Sequence, residues 1–554
     1  MALLTFPVEL LRPIIAYAFP DDFESFALTC KFIHSACFPF IAKHNFLKQR
    51  YRHFHFVRSD EDENEDCSSS LQLLARIAEE RLIAQYITFA DLKNDRPPVE
   101  RDVGQERIDR MKESGKLLAL LQNSPYLEAA GLDASQVMEH MYNRYVSMDD
   151  CSILNEGEEL AATLLLTLLP NTTHLAMDKE WPVYHARNTN IGRSALLDEI
   201  VERANDPRDY TAGLSKISDI LPSTAWGYEN RHALAIFSPL LSIKSVKSFK
   251  AGGCIALDDN YTGKAFPLPP YETFGYGLEE VDLVGACVNA DELRKFLSRT
   301  KRLKKFRLSY ETKWHGCGHD WDAGATMAMI EEEVADTLEA LSFSIITCFG
   351  SIETSIAPFM KKFKQLKELE LDIRTLLPEE SHITKGKKFD KFAIPPLRDM
   401  LPATIEKLRL LVTNINDPKQ SDALSFLFQD FSKDQEENFP NLEEIVIRRL
   451  WTEEIAKQRH QRDWTFTSHT QTLQEELEED SRNERVSSNT RSKDSSSLAS
   501  KQADKKDWKT DLRELRPGIN VSFVKAKGCE NVVGNVLPEF LPDWCARYEV
   551  YCIA

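Results

Sequence analysis

The feature that most constrains the fold is a six-residue pattern, apolar-x-x-apolar-x-apolar, which recurs along the chain. The six clear copies are LEEVDL (278–283), LKKFRL (303–308), LEALSF (338–343), LKELEL (366–371), IEKLRL (405–410) and LEEIVI (442–447). Their start-to-start spacings are 25, 35, 28, 39 and 37 residues, and helical stretches such as ADELRKFLSRT lie between them. The pattern therefore predicts one short strand and one helix in each unit.

A strand plus a helix at a period near ~20–29 residues, with insertions, is typical of leucine-rich repeats. Weaker copies at 172–177 (TTHLAM) and 243–248 (IKSVKS) extend the series. One unit cannot bury its apolar face alone, so neighbouring units must stack. We predict an α/β or α+β chain whose main part is an irregular leucine-rich-repeat solenoid, a horseshoe. The alternative is an ordinary α/β domain with short buried strands.

Composition limits the classes of protein and partner. An apolar content of 42% supports a real core, and a net charge of −18 argues against a nucleic-acid partner, because phosphate binding requires clustered lysine and arginine. Eleven scattered cysteines, with no Cys-x-x-Cys pair, indicate a reducing compartment. No apolar run reaches the 18 residues of a membrane span. We expect no nucleic-acid or membrane partner, and residence in the cytoplasm, the nucleus or both.

The first 56 residues carry large apolar side chains at helical spacing. Two stripes predict two helices: Leu10, Leu11, Ile14 and Ile15 in the first, and Phe23, Phe26, Ala27 and Cys30 in the second. Pro39 is suited to the first position of a third helix. These helices form either a separate docking module or simply the first helices of the main domain.

This segment resembles the F-box, and the repeats resemble those of fungal F-box proteins with irregular leucine-rich repeats. The elements that carry the resemblance are Phe6-Pro7, Glu9-Leu10-Leu11, Ile14-Ile15, Pro20-Asp21-Asp22-Phe23 and Ala27-Leu28-Thr29-Cys30-Lys31-Phe32. Three positions depart from the family pattern. Phe6 replaces the usual leucine, Phe32 stands where tryptophan is frequent, and Pro13 interrupts the first helix.

The resemblance implies a substrate-receptor subunit of a cullin-RING ubiquitin ligase. Such a subunit binds a Skp-type adaptor, and through it a cullin, while its repeats bind a protein substrate of unknown identity. The side chains implied in adaptor binding are Pro7, Leu10, Leu11, Ile14, Ile15, Phe23, Leu28 and Phe32. The alternative is a stand-alone leucine-rich-repeat scaffold with no role in a ligase.

Charged residues alternate with the apolar positions of the repeat strands, so each set shares one face of its strand. We expect substrate contacts on this face. The candidate side chains are Glu280, Asp282, Lys305, Arg307, Glu368, Glu370, Asp372, Lys407 and Arg409. The alternative is a merely solvated face.

Motifs for catalysis and cofactor binding are missing from the sequence. It contains no GxxxxGK[ST], GxGxxG, HExxH or GxSxG motif. The segment WHGCGHDW (314–321) places His315, Cys317, His319 and Asp320 close together, but zinc sites usually need a second ligand pair elsewhere. We therefore expect a non-catalytic protein with no metal and no cofactor.

These patterns divide the chain into six segments. They are an F-box-like module (1–56), an acidic and serine-rich linker (57–70), a helical connecting region (71–160), the repeats (161–458), a disordered polar insertion (459–511), and a last repeat strand with a C-terminal cap (512–554).

Overall fold

A computed structural model describes most of the chain, in ranges separated by gaps. The described residues are 6–56, 67, 69–93, 95, 112–143, 156–177, 193–221, 231–259, 263–313, 320–348, 350, 352–354, 359–377, 394–412, 418–449, 469–472 and 520–525. They form a mixed α/β structure in which parallel strands alternate with helices.

The chain divides into two compact units. The first unit comprises Met1–Thr224, Ile236–Phe249 and Pro269–Gly277. The second comprises Ala225–Ala235, Lys250–Leu268 and Leu278–Ala554.

The first unit contains the helices α1 to α10. Their bounds are Val8–Tyr17, Phe23–Ala27, Lys31–Tyr51, Ser70–Glu79, Leu82–Tyr86, Lys116–Gln122, Pro125–Ala129, Ala134–Asn143, Glu156–Leu166 and Arg193–Asn205. A 3-10 turn, Leu240–Ser242, also belongs to this unit. Serine side chains begin two of these helices: Ser69 accepts a hydrogen bond from the Gln72 amide, and Ser124 accepts one from the Leu127 amide.

Four short strands, β1 to β4, pair in parallel within the first unit, in chain order. Their bounds are His53–His55, Phe89–Asp91, His174–Ala176 and Asp219–Leu221. Strand β5 (His232–Ala233) belongs to the second unit, and the first residues of β6 (Ser248–Gly252) pair with β4.

The second unit holds the longer strands. Strands β7 to β17 are Cys254–Ala256, Glu280–Val288, Lys305–Glu311, Trp321–Asp322, Ala340–Thr347, Ile352–Glu353, Glu368–Asp372, Lys407–Val412, Glu444–Arg449, His469–Thr472 and Asn520–Lys525. Parallel pairing follows the order β8-β9-β11-β13-β14-β15-β17, and β16 pairs antiparallel to β17. Strands β10 and β12 form a separate parallel pair.

Helices α11 to α15 of the second unit are Ala290–Leu297, Ala323–Val334, Leu397–Met400, Pro418–Leu427 and Phe431–Asn438. A 3-10 turn, Ile373–Leu376, follows β13 directly. Side-chain caps set two helix starts, because Asn289 accepts a hydrogen bond from the Glu292 amide at 2.9 Å and Asp322 accepts one from the Ala325 amide at 2.8 Å.

The six clear sequence copies each contain the start of a strand. In every copy the strand begins at the third residue, as in Glu280 of 278–283 and Glu444 of 442–447. The last apolar position of these copies is buried: Leu283, Leu308, Leu371, Leu410 and Ile447 are 0% exposed, and Phe343 is 1% exposed. Burial of these side chains on one side of the strands removes apolar surface from water and so stabilises the fold.

Two details differ from the sequence expectations. Strand pairing begins at β1 and β2, well before residue 161, because Tyr51-x-x-Phe54-x-Phe56 and Ile87-x-x-Ala90-x-Leu92 follow the same pattern with other apolar residues. Strand β6 follows the pattern at 246–251 rather than 243–248. The predicted return to a strand after the polar insertion agrees with β17, whereas most of 459–511 and the C-terminal cap lie outside the described residues.

The sequence suggested that Pro39 opens a third helix, but in the structure it does not. It lies inside α3, which runs unbroken from Lys31 to Tyr51. An interior proline removes one backbone hydrogen bond. Burial of one face of this helix compensates for that loss; the buried side chains are Ile33, Ala36, Cys37, His44, Leu47 and Tyr51. Pro13 likewise lies inside α1.

Within the described part of the chain, none of the helices combines the length and the apolarity that a bilayer span requires.

Candidate functional site

The three N-terminal helices pack around a small core of their own. Its buried side chains come from all three helices: Leu11, Ile15, Phe23, Ala27, Ile33, Ala36 and Cys37. The rings of Phe19 and Phe23 stack with their centroids 4.4 Å apart. The module is therefore held together by internal contacts.

Three of the residues predicted to bind an adaptor belong to this core. Leu11 and Ile15 are 0% exposed and Phe23 is 2% exposed. Direct contact with a partner is not available to them, and this part of the prediction needs correction. One face of an amphipathic helix packs on the core, and Leu11 and Ile15, four residues apart, share that face of α1, while Phe23 faces the same core from α2.

The other predicted residues lie at the surface. Leu10 is 56% exposed, Leu28 78% and Phe32 38%, while Pro7 is exposed and Ile14 is partly buried. A single exposed apolar side chain is normal, but several large ones within one small region of the surface are unusual. The surface of the module thus retains apolar groups that its own core leaves uncovered.

Three exposed apolar residues were missed by the sequence prediction: Tyr17 (92% exposed), Phe38 (69%) and Phe46 (56%). On α1, Leu10, Ile14 and Tyr17 stand at i, i+4 and i+7 and so share a face. The spacing of Phe32, Pro39 and Phe46 is seven residues, which places them along one face of α3. Beginning the third helix at Pro39 hid this second stripe. We name Pro7, Leu10, Ile14, Tyr17, Leu28, Phe32, Phe38, Pro39 and Phe46 the apolar surface of the module.

The opposite side of α3 joins the module to the chain that follows. His44 is 2% exposed, and its Nδ1 lies 2.6 Å from the Tyr86 hydroxyl of α5. Its Nε2 lies 3.3 Å from Glu24, and Lys48 donates to the same carboxylate at 2.6 Å. Hydrogen bonds from Lys48 and His44 lower the pKa of Glu24, and burial raises the pKa of Tyr86. These contacts fix one side of α3 and leave the apolar stripe free on another.

The predicted substrate face is a set of cross-strand rows in the second unit. The first row pairs Glu280 with Lys305, and Glu368 with Lys407, which in turn pairs with Glu444. Lys407 donates to Glu368 at 2.9 Å, and this bond raises the pKa of Lys407. The register thus places residues of opposite charge on neighbouring strands.

The second row carries Arg307 and Arg409. Arg307 donates to Asp282 at 2.8 Å. Arg409 lies 3.8 Å from Glu368 and 3.6 Å from Glu444. Both guanidinium groups are mostly buried, so their charges are neutralised within the face.

Three predicted contact residues are not accessible. Asp282 is 3% exposed, Glu370 1% and Asp372 0%. Asp372 accepts hydrogen bonds from the backbone amide and the guanidinium of Arg374, and Ser342 donates to Glu370 at 2.6 Å. Burial raises the pKa of both Asp282 and Glu370. These three carboxylates stabilise the strand face, and their predicted role in substrate contact needs correction.

Lys305 differs from the other cations of the face. It is exposed at the start of β9, and no ion pair of the described residues includes it. The accessible side chains of the predicted set are therefore Lys305 together with the partly exposed Glu280, Glu368 and Lys407.

Other polar groups of the second unit look structural. Arg231 is 8% exposed, forms an ion pair with Glu311 at 2.7 Å and donates to the Gly285 carbonyl. Burial raises the pKa of the Cys254 thiol to about 12, which removes it as a nucleophile at neutral pH. Among the described residues no cluster of three potential metal ligands occurs.

The WHGCGHDW candidate was centred on side chains outside the described residues. His315, Cys317 and His319 lie there, and of the four potential ligands only Asp320 is described.

Comparison with protein-family models finds no matching family, and no curated protein is significantly similar to this chain.

Proposed function

We propose that this chain is the substrate-receptor subunit of a Skp-cullin-F-box ubiquitin ligase. The observation that supports the proposal is the apolar surface of the N-terminal module, which carries six of the ten large exposed hydrophobic side chains of the described chain. The other four, Tyr210, Leu268, Tyr276 and Phe359, are spread over the following residues. A concentration of this kind is typical of a protein-interaction site.

The apolar surface is large enough for a stable complex. A specific interface buries about 800 Å² on each partner. Phenylalanine and tyrosine each bury about 150–250 Å². The exposed parts of Tyr17, Phe32, Phe38 and Phe46, with two leucines, supply most of that area, and a Skp-type adaptor would cover them.

In this proposal the chain acts by position. The N-terminal module is held by the adaptor on the cullin, and the strand face binds a protein whose lysines then meet an activated ubiquitin conjugate. Holding two reactants in a productive geometry can lower the activation free energy by about 7–11 kcal/mol. The receptor supplies this proximity and no reacting group.

Leu10→Asp combined with Leu28→Asp tests the adaptor site. Both side chains are more than half exposed, so the variant should fold, while two carboxylates in an apolar interface should lower adaptor affinity by about a hundredfold or more. The measurement is co-purification of full-length chain with a Skp-type adaptor, followed by titration. Leu268→Asp is the matched control, since Leu268 is 60% exposed and lies outside the module. Equal adaptor binding by wild type and the double variant would reject the site.

Lys305→Glu tests the substrate face. Reversal of this exposed charge should reduce capture of proteins by the full-length chain several-fold, because a rim charge steers association. Quantitative mass spectrometry compares proteins captured by wild type, Lys305→Glu and the control Lys361→Glu, which changes another exposed lysine of the same unit. Identical capture by all three would remove Lys305 from the face.

A stand-alone interaction scaffold is the second candidate. The internal core of the module favours it, because Leu11, Ile15 and Phe23 are covered without any partner. The scaffold has no need of an adaptor, so a chain that binds its protein partners but never a Skp-type adaptor would support this candidate.

A further inference from the structure

The third helix of the N-terminal module differs in charge from the chain as a whole. Residues 25–59 contain six lysine and arginine residues and no aspartate or glutamate, although the chain has a net charge of −18. Two of the six are paired with carboxylates of the chain itself. Lys43 forms an ion pair with Glu80, and Lys48 donates to Glu24 at 2.6 Å. Other cations of this stretch are not neutralised in this way.

Lys31 and Arg52 stand at the two ends of α3. Lys31 is the first residue of the helix, Arg52 follows its last residue, and both are exposed. Neither side chain forms an ion pair in the part of the chain that the structure describes. A helix rises 1.5 Å per residue, so the Cα atoms of these two residues lie about 30 Å apart. The two charges therefore mark both ends of the helix.

The two cations lie on one line with an exposed aromatic ring. Four exposed residues of this line are spaced seven apart and so follow one face of the helix: Lys31, Phe38, Asn45 and Arg52. Beside this line runs the apolar stripe of α3 that belongs to the apolar surface of the module. The exposed face of α3 is therefore largely apolar in its middle and cationic at both ends.

The carboxylates of the module all precede α3 in the chain. They are Glu9, Asp21, Asp22 and Glu24. Glu24 accepts a hydrogen bond from Lys48, and Asp21 lies 3.8 Å from Lys216. None of the four forms an ion pair with either cation at the helix ends. The chain itself thus leaves the charges at both ends of α3 without a counter-charge.

We propose that the surface covering α3 in the complex is an apolar groove with acidic groups at both ends, and that Lys31 and Arg52 steer its association. This inference rests on the proposed function: the partner is the Skp-type adaptor, and the helix lies in a groove of that adaptor. Complementary charges accelerate association and suppress wrong partners more than they raise affinity. Lys31 and Arg52 are therefore specificity residues of the adaptor site, in addition to its apolar side chains.

An anionic lipid surface is the other class of partner that suits a basic helix with aromatic residues. A helix that lies in a membrane interface inserts its apolar face into the lipid. The apolar face of α3 is packed inside the protein, where Ile33, Ala36 and Leu47 are buried. The exposed face also carries the amides of Asn45 and Gln49. A protein groove, which offers hydrogen-bonding groups as well as apolar contacts, fits this mixed face better.

Association kinetics of the full-length chain with a purified Skp-type adaptor test the proposal. Lys31→Glu combined with Arg52→Glu should slow association about tenfold at low salt. The difference should fall below about twofold in 1 M salt, where charges are screened over about 3 Å. Lys116→Glu combined with Lys247→Glu is the matched control, because both lysines are exposed, lie in the same unit outside the module and change the net charge equally. This control should associate within about twofold of the wild-type rate.

Each outcome bears on the inference separately from the proposed function. An adaptor that binds wild type and the charge-reversed variant at equal rates would overturn the inference and leave the proposed function standing. An adaptor that does not bind wild type at all would overturn both. Binding of wild type to phosphatidylserine vesicles that is lost in the charge-reversed variant, with adaptor association unchanged, would assign the cations to lipid and overturn the inference.

A second measurement keeps the inference testable if the charge-reversed variant does not fold, which circular dichroism checks. The association rate of wild type itself should fall steeply as the salt concentration rises. Lys31→Gln combined with Arg52→Gln removes the charges without reversing them and should give a rate between those of wild type and the charge-reversed variant. A wild-type association rate that does not depend on salt would overturn the inference.

Discussion

Replacing Arg307 with methionine is expected to lower the free energy of unfolding by about 3–5 kcal/mol at about pH 8, and by much less at about pH 4. Arg307 donates to Asp282 at 2.8 Å, and the side chain of Asp282 is 5% exposed. Without the guanidinium, a buried carboxylate is left without its cation. Methionine retains most of the apolar stem, so the loss of packing is small.

The pH dependence follows from the pKa of Asp282. Burial already raises this pKa above 3.8, and removal of Arg307 raises it further. A carboxyl group whose pKa is higher in the folded state than in the unfolded state stabilises the folded state while it is protonated. This contribution to the free energy of unfolding is lost as the pH rises through the folded-state pKa. The deficit of the variant should therefore grow with pH. Chemical denaturation across the pH range measures it.

The double variant Arg307→Met with Asp282→Asn is the control for this pair. It removes both charges, so most of the stability at about pH 8 should return, as in a double-mutant cycle of coupled residues. A deficit of Arg307→Met that is equal at about pH 4 and pH 8 would show that the ion pair is not its cause.

Gly213→Ala is expected to lower the free energy of unfolding by about 3 kcal/mol or more, measured by urea denaturation. A Cβ atom at this position would overlap the Leu166 carbonyl oxygen and lie 2.7 Å from Thr167 Cα, and both atoms belong to the backbone. Backbone atoms cannot rotate away as a side chain does. The C-terminal end of α9 and the segment that contains Gly213 must therefore move apart.

Gly115→Ala separates the steric effect from the general effect of glycine replacement. Gly115 has a φ of 61° and no atom within 4 Å of a built Cβ, so alanine there meets only the cost of a left-handed backbone, about 1–2 kcal/mol. A loss at Gly213 no larger than the loss at Gly115 would contradict the close approach.

The strand positions of the second unit could be predicted because one local pattern defines them. In each clear copy, the apolar residues at positions four and six lie on one side of the strand, and the residue between them, polar in five of the six copies, lies on the other. In the first unit the pattern was found at 172–177, which contains β3, but the copies at 51–56 and 87–92 were missed. In those two copies, Tyr51 stands at the first position, where all six clear copies have leucine or isoleucine, and the small side chain of Ala90 stands at the fourth.

The candidate sites were harder to predict, since burial depends on contacts between distant segments. Leu10 and Leu11 are adjacent and chemically identical, but one is 56% exposed and the other 0%. Asp282 and Glu280 likewise differ in exposure on one strand, because the covering of that face increases from its first row to its second.

Hydrogen exchange of the full-length chain, with and without an equimolar Skp-type adaptor, tests the central claim most directly. The proposal predicts that the adaptor protects backbone amides of α1 and α3, while amides of β8 to β15 exchange at unchanged rates. Exchange that is unaltered throughout the module at saturating adaptor concentration would contradict the claim that its apolar surface is an adaptor-binding site.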